Sequence, residues 1–229
     1  FMATAEVIQK AMNLKLNTII THEPVFFNDK DRTDWGKEDE VVLKKTSLIT
    51  QNQVNIYRCH DQTHYIKPNL IYDGMITGLG WRDYVYESDQ RIFNFPRWTA
   101  KEIAEQIKSK LNMEVIRVVG NPEMECRRAG FLLGALSLGF GMGLGREESP
   151  MKWMNEENID VLLCGEMLEW TSCAYCRDAG RLGVNRAAIV LGHNRSEEAG
   201  MKHLAKWLKP ICGDIPIEFI EAGDPFLYL

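Results

Sequence analysis

AAIVLGHNRSEE (residues 187–198) is the stretch that decides the fold class. Five apolar residues run into Gly192, and a polar sequence with helical spacing follows. A short apolar run bounded by a glycine reads as a strand buried on both faces. The apolar spacing then predicts a helix over 197–208 that starts near Ser196. His193 would stand just before that helix and Glu197 in its first turn. Strand, glycine and helix in this order form a βα unit, and a repeated βα rhythm builds an α/β domain on a parallel or mixed sheet.

The rhythm recurs in both directions from this unit. Towards the N-terminus the pattern predicts a strand at 159–164 (IDVLLC), ending on Gly165-Glu166, and then helical sequence over 170–182. Ser149 and Pro150 mark a helix start, as cap and first residue. Segment 114–119 reads as a strand and 127–136 as a strand or short helix. Further back, 99–111 is an amphipathic helix with Thr99 as cap and Glu102 in the capping-box position. Segment 84–95 is a strand or hairpin, 70–79 a short helix, 54–59 a strand, 38–52 a helix, 18–21 a strand and 5–14 a helix. Beyond 208, 215–220 reads as a last strand. No low-complexity linker divides the chain. The expectation is one α/β domain of two related halves, about 1–112 and 113–229, with mixed sheets around a central cleft.

Bulk properties bound the function. The chain has 229 residues, is 45% hydrophobic and 26% charged, and carries a net charge of −5. The acidic balance gives no support to a nucleic-acid binder. No apolar run approaches the roughly 18 residues of a membrane span, and no secretory leader is visible. The six cysteines are scattered and read as reduced thiols of a cytoplasmic protein. Cys173-Ala-Tyr-Cys176 has the CxxC spacing but lacks the second pair that a zinc site needs. A redox pair would want this motif at the start of a helix after a strand; the reading taken is small residues packing a helix.

Four predicted strands end on side chains that bind metals or move protons. Strand 18–21 delivers His22 and Glu23, and strand 54–59 delivers His60, Asp61 and His64. Strand 159–164 delivers Glu166, and strand 187–191 delivers His193, with Glu197 a helical turn later. Four of the five histidines fall at such ends; His203 is mid-helix. The carboxyl ends of strands are where open α/β sheets hold ligands. Imidazoles and carboxylates together suit zinc, manganese, iron or nickel. Four His and two Glu exceed the needs of one tetrahedral ion and fit two divalent ions sharing a bridging carboxylate and water. Taken singly, these residues say little. Phe26 holds the place of the second histidine of HExxH, so that protease motif is absent. GFGMGLG (139–145) matches neither the P-loop nor the dinucleotide fingerprint, and reads as a flexible loop lining the cleft. Trp153, Trp170 and Trp207 read as helix residues that pack against the sheet or a subunit neighbour.

IITHEPVFF (19–27), the His60–His64 element, LLCGEMLEW (162–170) and VLGHNRSEEAGMKHLAKWL (190–208) together resemble the NGG-one-interacting-factor-three-like proteins, also called GTP cyclohydrolase type-two-like dinuclear metal proteins. The resemblance covers almost the whole chain. The family's first motif has two adjacent histidines where this chain has His22-Glu23. Its middle motif reads His, three residues, Asp, where this chain has His60 and His64. One carboxylate and one imidazole have exchanged places, so the ligand charge is unchanged. The resemblance implies two divalent ions in the cleft between two halves, a hexameric homo-oligomer, and natural chains that begin upstream of Phe1. The expected metal ligands are His22, Glu23, His60, His64, His193 and Glu197, with Glu166 as general acid/base or as the group that orients a histidine, and Asp61 in a similar role. The expected function is metal-dependent hydrolysis of a phosphoester or nucleotide-like small molecule. A non-catalytic metal-binding ring scaffold is the alternative, and an open coordination position distinguishes the two.

Overall fold

The computed structural model describes residues 1–138 and 149–229, so the glycine-rich 139–145 lies outside the described residues. The chain divides into two compact units, Phe1–Ile71 with Gly200–Leu227, and Tyr72–Ala199 with Tyr228–Leu229.

In the first unit, helix α1 (Ala5–Asn13) is capped by Thr4, whose hydroxyl accepts from the Val7 N–H. Its buried stripe is Val7, Ile8 and Ala11, the i, i+1, i+4 face of one helix. Strand β1 (Thr18–Thr21) follows, and α2 (Glu40–Gln51) is capped by Asp39. Strand β2 (Asn55–Arg58) pairs with β1 in parallel, Thr18 opposite Asn55 and Thr21 opposite Arg58. The ladder is extended by the Cys59 N–H, which donates to the Thr21 carbonyl at 2.8 Å. Parallel pairing brings both carboxyl ends to one edge, where α3 (Asp61–Tyr65) begins directly after His60.

The second unit is a mixed six-stranded sheet. After α4 (Leu70–Leu79) come β3 (Val85–Tyr86), β4 (Asp89–Thr99), α5 (Ala100–Lys110), β5 (Arg117–Val119), β6 (Glu125–Leu132), α6 (Pro150–Glu156), β7 (Val161–Cys164), α7 (Ala174–Leu182), β8 (Ala187–Val190) and α8 (His193–Cys212). The strand order is β3-β4-β6-β7-β8-β5, with β6, β7 and β8 parallel and the other pairings antiparallel. Leu132, Cys164 and Val190 lie in register, so three parallel strands end at one edge. Every residue of β7 and β8 is buried, which is why both segments are apolar throughout. Trp153 of α6 packs over β6 at Gly130, where a β-carbon would overlap the indole. Trp81, Phe93, Phe95 and Phe131 form an aromatic cluster on the opposite face of the sheet, because Phe131 alternates with Gly130 along β6, and the Trp81 and Phe131 centroids are 5.8 Å apart.

The α/β class and the mixed sheet are as the sequence predicts, and several boundaries are not. Helix α8 starts at His193 instead of near Ser196. Gly192 takes φ +94°, and its carbonyl accepts from the Ser196 N–H at 3.0 Å, closing a first turn that apolar spacing does not reveal. Segment 215–220 forms no strand among the described residues, and Ile215 is largely exposed. The helix expected over 170–182 is interrupted. A wide turn (Glu169–Cys173) kinks at Thr171, with φ −111° and ψ −107°, before α7 begins. Trp153 packs as expected, but Trp170 is 75% and Trp207 40% exposed.

The capping box on α5 is complete. The Thr99 hydroxyl accepts from the Glu102 N–H at 3.1 Å, and the Glu102 carboxylate accepts from the Thr99 N–H at 2.7 Å. The Thr99 N–H foremost, and then the Thr99 hydroxyl, which donates to Glu102 Oε2 at 3.0 Å, hold the Glu102 carboxyl below its ordinary pKa. Thr99→Ala is expected to lower unfolding free energy by about 1 kcal/mol in urea titrations. A lowered folded-state pKa stabilises above the unfolded-state value and is lost as pH falls through the folded one. The stability difference between the parent and Glu102→Gln should therefore shrink on acidification through that range.

Candidate metal centre

Each unit carries imidazole at the carboxyl edge of its parallel strands, three rings in the first and His193 in the second. In the first, His22 follows β1 directly and His60 stands two residues past β2, so the ladder sets them side by side. One turn of α3 carries His64 back to the same point. The ring centroids of His22 and His60 are 4.5 Å apart, those of His22 and His64 5.1 Å, and those of His60 and His64 4.9 Å. One ligand atom from each of the three lies within 4.8 Å of the others. His22 is fully buried, while His60 and His64 are half-buried.

The turn that holds His22 is built on a single carbonyl. Phe1 O accepts from the His22 N–H at 2.9 Å, the Glu23 N–H at 3.2 Å and the Thr21 hydroxyl at 2.8 Å. Arg58, the last residue of β2, donates to the carbonyls of His22 at 3.4 Å and Asp29 at 2.7 Å, and approaches the Glu23 carboxylate at 4.0 Å. One guanidinium thus ties the two ends of the loop that carries Glu23.

Hydrogen bonding fixes which ring nitrogens can bind a cation. The Asp61 carboxylate can only accept, so the 2.8 Å contact makes His60 Nδ1 a donor and leaves Nε2 with its lone pair. That bond also holds the Asp61 carboxyl below its ordinary pKa. Thr63, buried under the three rings, gives its one hydroxyl hydrogen to the His60 carbonyl at 2.6 Å. Its 3.3 Å contact with His22 Nδ1 is then an acceptor contact, and His22 Nε2 is again the basic nitrogen. A second partner oriented in this way is the usual companion of a metal-binding imidazole. Sequence reasoning does not single out Thr63, which touches two of the three histidines. Its position three residues after His60 was the available signal.

The second unit repeats the device. His193, the first residue of α8, donates from Nδ1 to Glu166 Oε1 at 3.0 Å. Its Nε2 faces Glu197 Oε2 at 3.2 Å. With the proton on Nδ1, two lone pairs oppose each other, and the contact calls for a proton or a cation between them. Glu166 sits past β7 as expected, and its contact assigns it to orienting His193. Glu197 is 3% exposed.

Two glycines make room for this pair; the sequence reading marks Gly165 only as the end of a strand and does not mark Gly134. Gly134, just past β6, takes φ +57°, and a β-carbon there would overlap the Glu197 carboxylate and His193 Nε2. Gly165, just past β7, has no space for a β-carbon against the Gly134 backbone and the Ser196 hydroxyl. Ser196 joins the parts, accepting from the Gly134 N–H at 2.9 Å and donating to the His193 carbonyl at 2.7 Å.

The donors fit a divalent cation. Imidazole nitrogens, those of His22, His60 and His193 oriented by a contact at Nδ1, together with carboxylate oxygens are the ligands of first-row ions. His22, His60 and His64 form one group, and His193 with Glu197 another.

Comparison with known proteins agrees with the fold. The family model of Duf34/NIF3 (NGG1p interacting factor 3) matches residues 2–225. The GTP cyclohydrolase 1 type 2 homolog of Buchnera aphidicola is 24% identical over 238 residues, covering 97% of this chain and 82% of its own. That of Clostridium perfringens is 23% identical over 239 residues, covering 99% and 83%. The crystal structure of a Bacillus cereus protein related to NIF3 superposes with a TM-score of 0.70 at 16% identity, covering 99% of this chain and 87% of that one.

Gly134→Ala tests the close approach. A methyl group there forces the Glu197–His193 pair apart and places alanine at positive φ, so unfolding free energy should fall by about 1–3 kcal/mol. Equilibrium denaturation measures it, and a change below about 0.5 kcal/mol would contradict the packing described.

Proposed function

The chain belongs to the Duf34/NIF3 family, and on that premise we propose that it is a dinuclear divalent-metal protein acting as a hydrolase on a phosphoester or nucleotide-like small molecule. The observation that carries the reading is the convergence of His22, His60 and His64, with ligand atoms within 4.8 Å of one another. In the proposal these three and Glu23 combine with His193 and Glu197 to hold two cations, zinc, manganese, iron or nickel. Such ions, when bound, supply Lewis acidity towards a phosphoryl or carbonyl oxygen and acidify water. Printed names of relatives, GTP cyclohydrolase 1 type 2 homolog, support a nucleotide-like substrate.

The chain's own residues have defined parts in this reading. Asp61 and Thr63 keep His60 and His22 basic at Nε2. Glu166 holds the proton of His193 on Nδ1, and its carboxylate, 43% exposed, keeps access to solvent for proton exchange. Arg58 balances the charge of Glu23 and fixes its loop. A cytoplasmic location and assembly into a hexamer complete the proposal. Six unpaired thiols are compatible with a reducing compartment, and no helix among the described residues is long and apolar enough to cross a membrane.

Titration of stripped protein with zinc or manganese should give two ions per chain. His60→Ala is expected to weaken binding at least tenfold, and Glu166→Gln about 10–100-fold, with a parallel loss of turnover on a phosphodiester and nucleotide panel. Unchanged metal binding after removal of both His22 and His60 would contradict the metal assignment. Tight binding with no turnover above the Glu166→Gln level would contradict the hydrolase.

A further inference from the structure

The Cys173–Cys176 motif has no part in the proposed metal centre, and the fold places it at the start of a helix. β7 is followed by the kinked turn Glu169–Cys173, and α7 starts at Ala174 with Cys173 as its cap. Cys173 is half-buried, and Cys176 is fully buried one helical turn later on the same face. The sequence criterion for a redox pair, CxxC opening a helix after a strand, is therefore met. Packing accounts for Cys176, which joins Cys164, Trp153 and Met154 in the core. It does not account for a second thiol at the exposed end of the same turn.

We propose that Cys173 and Cys176 form a reversible dithiol–disulfide pair that exchanges with a low-molecular-weight disulfide, Cys173 attacking and Cys176 resolving. Position separates the two roles. Cys173 stands at the first end of α7, and part of its surface meets solvent. Cys176 is enclosed, and burial pushes its thiol up to about 12, so it stays protonated until a mixed disulfide forms beside it. Thiols three apart in a helix have β-carbons about 5–6 Å apart, whereas a disulfide needs about 3.5–4.5 Å. The first cysteine must shift to close the bond. Thr171, two residues before it, has non-helical backbone angles, so the regular helix is already broken on that side.

The exchange balances. The Cys173 thiolate attacks one sulfur of the external disulfide, forming a mixed disulfide and expelling one thiolate. Cys176 loses its proton to solvent and attacks the Cys173 sulfur, expelling the second. Two protein thiols are oxidised, one external disulfide is reduced to two thiols, and the reverse steps restore the dithiol.

The test uses the whole chain in glutathione buffers of graded redox potential, acid-quenched, alkylated and mapped by mass spectrometry. The expected result is one internal Cys173–Cys176 disulfide, with a two-electron transition in which the oxidised-to-reduced ratio changes tenfold per roughly 30 mV. Cys176→Ser, or Cys176→Ala if serine is not tolerated in the core, should accumulate one glutathione on Cys173. Cys173→Ser should leave Cys176 unmodified. The proposal is overturned if no internal disulfide forms, if the parent protein accumulates a lasting glutathione adduct on Cys173, or if the bond forms to Cys164 instead.

Discussion

Parallel strand pairing is the constraint on which the rest depends. A parallel ladder sends the carboxyl ends of its strands to one edge, whatever lies between them in sequence. In the first unit this sets His22 beside His60, although 38 positions separate them. In the second, Leu132, Cys164 and Val190 align, and the residues just past them supply Gly134, Glu166 and His193. The buried apolar strands fix this register, because a slip of one residue would turn their side chains to the wrong faces.

At each of these two edges the chemistry is set by what touches Nδ1. Asp61, Thr63 and Glu166 each place an oxygen against the Nδ1 of His60, His22 and His193. Each ring is left with a basic Nε2. Glycines at the ends of β6 and β7 then let backbone and carboxylate come closer than any side chain would permit. The arrangement stores no dedicated scaffold beyond the sheet: a strand end, a glycine and one helical turn position each donor.

Much of this was legible in the sequence, and the parts that were not have physical reasons. Apolar runs with helical sequence between them gave the α/β class, and the polar residues after each run gave His22, His60, His64, Glu166 and His193. The start of α8 was misread because its first turn is polar, and hydrophobic periodicity begins only later. The strand expected at 215–220 had the right composition but finds no pairing partner among the described residues. Gly134 and Ser196 act through close approach and hydrogen bonds to residues 63 and 62 positions away and leave no local pattern, while Thr63 reaches His22 across 41 positions with only its spacing from His60 as a local cue. CxxC was read as packing; its relation to the kinked turn and to α7 became visible only in three dimensions.

X-ray absorption at the edge of the bound ion, in protein loaded with zinc, tests the central claim most directly. The account predicts a shell of nitrogen and oxygen at about 2.0–2.2 Å with the multiple scattering of imidazole, lost in His60→Ala. A sulfur shell at about 2.3 Å, or a spectrum unchanged by removal of that histidine, would contradict it.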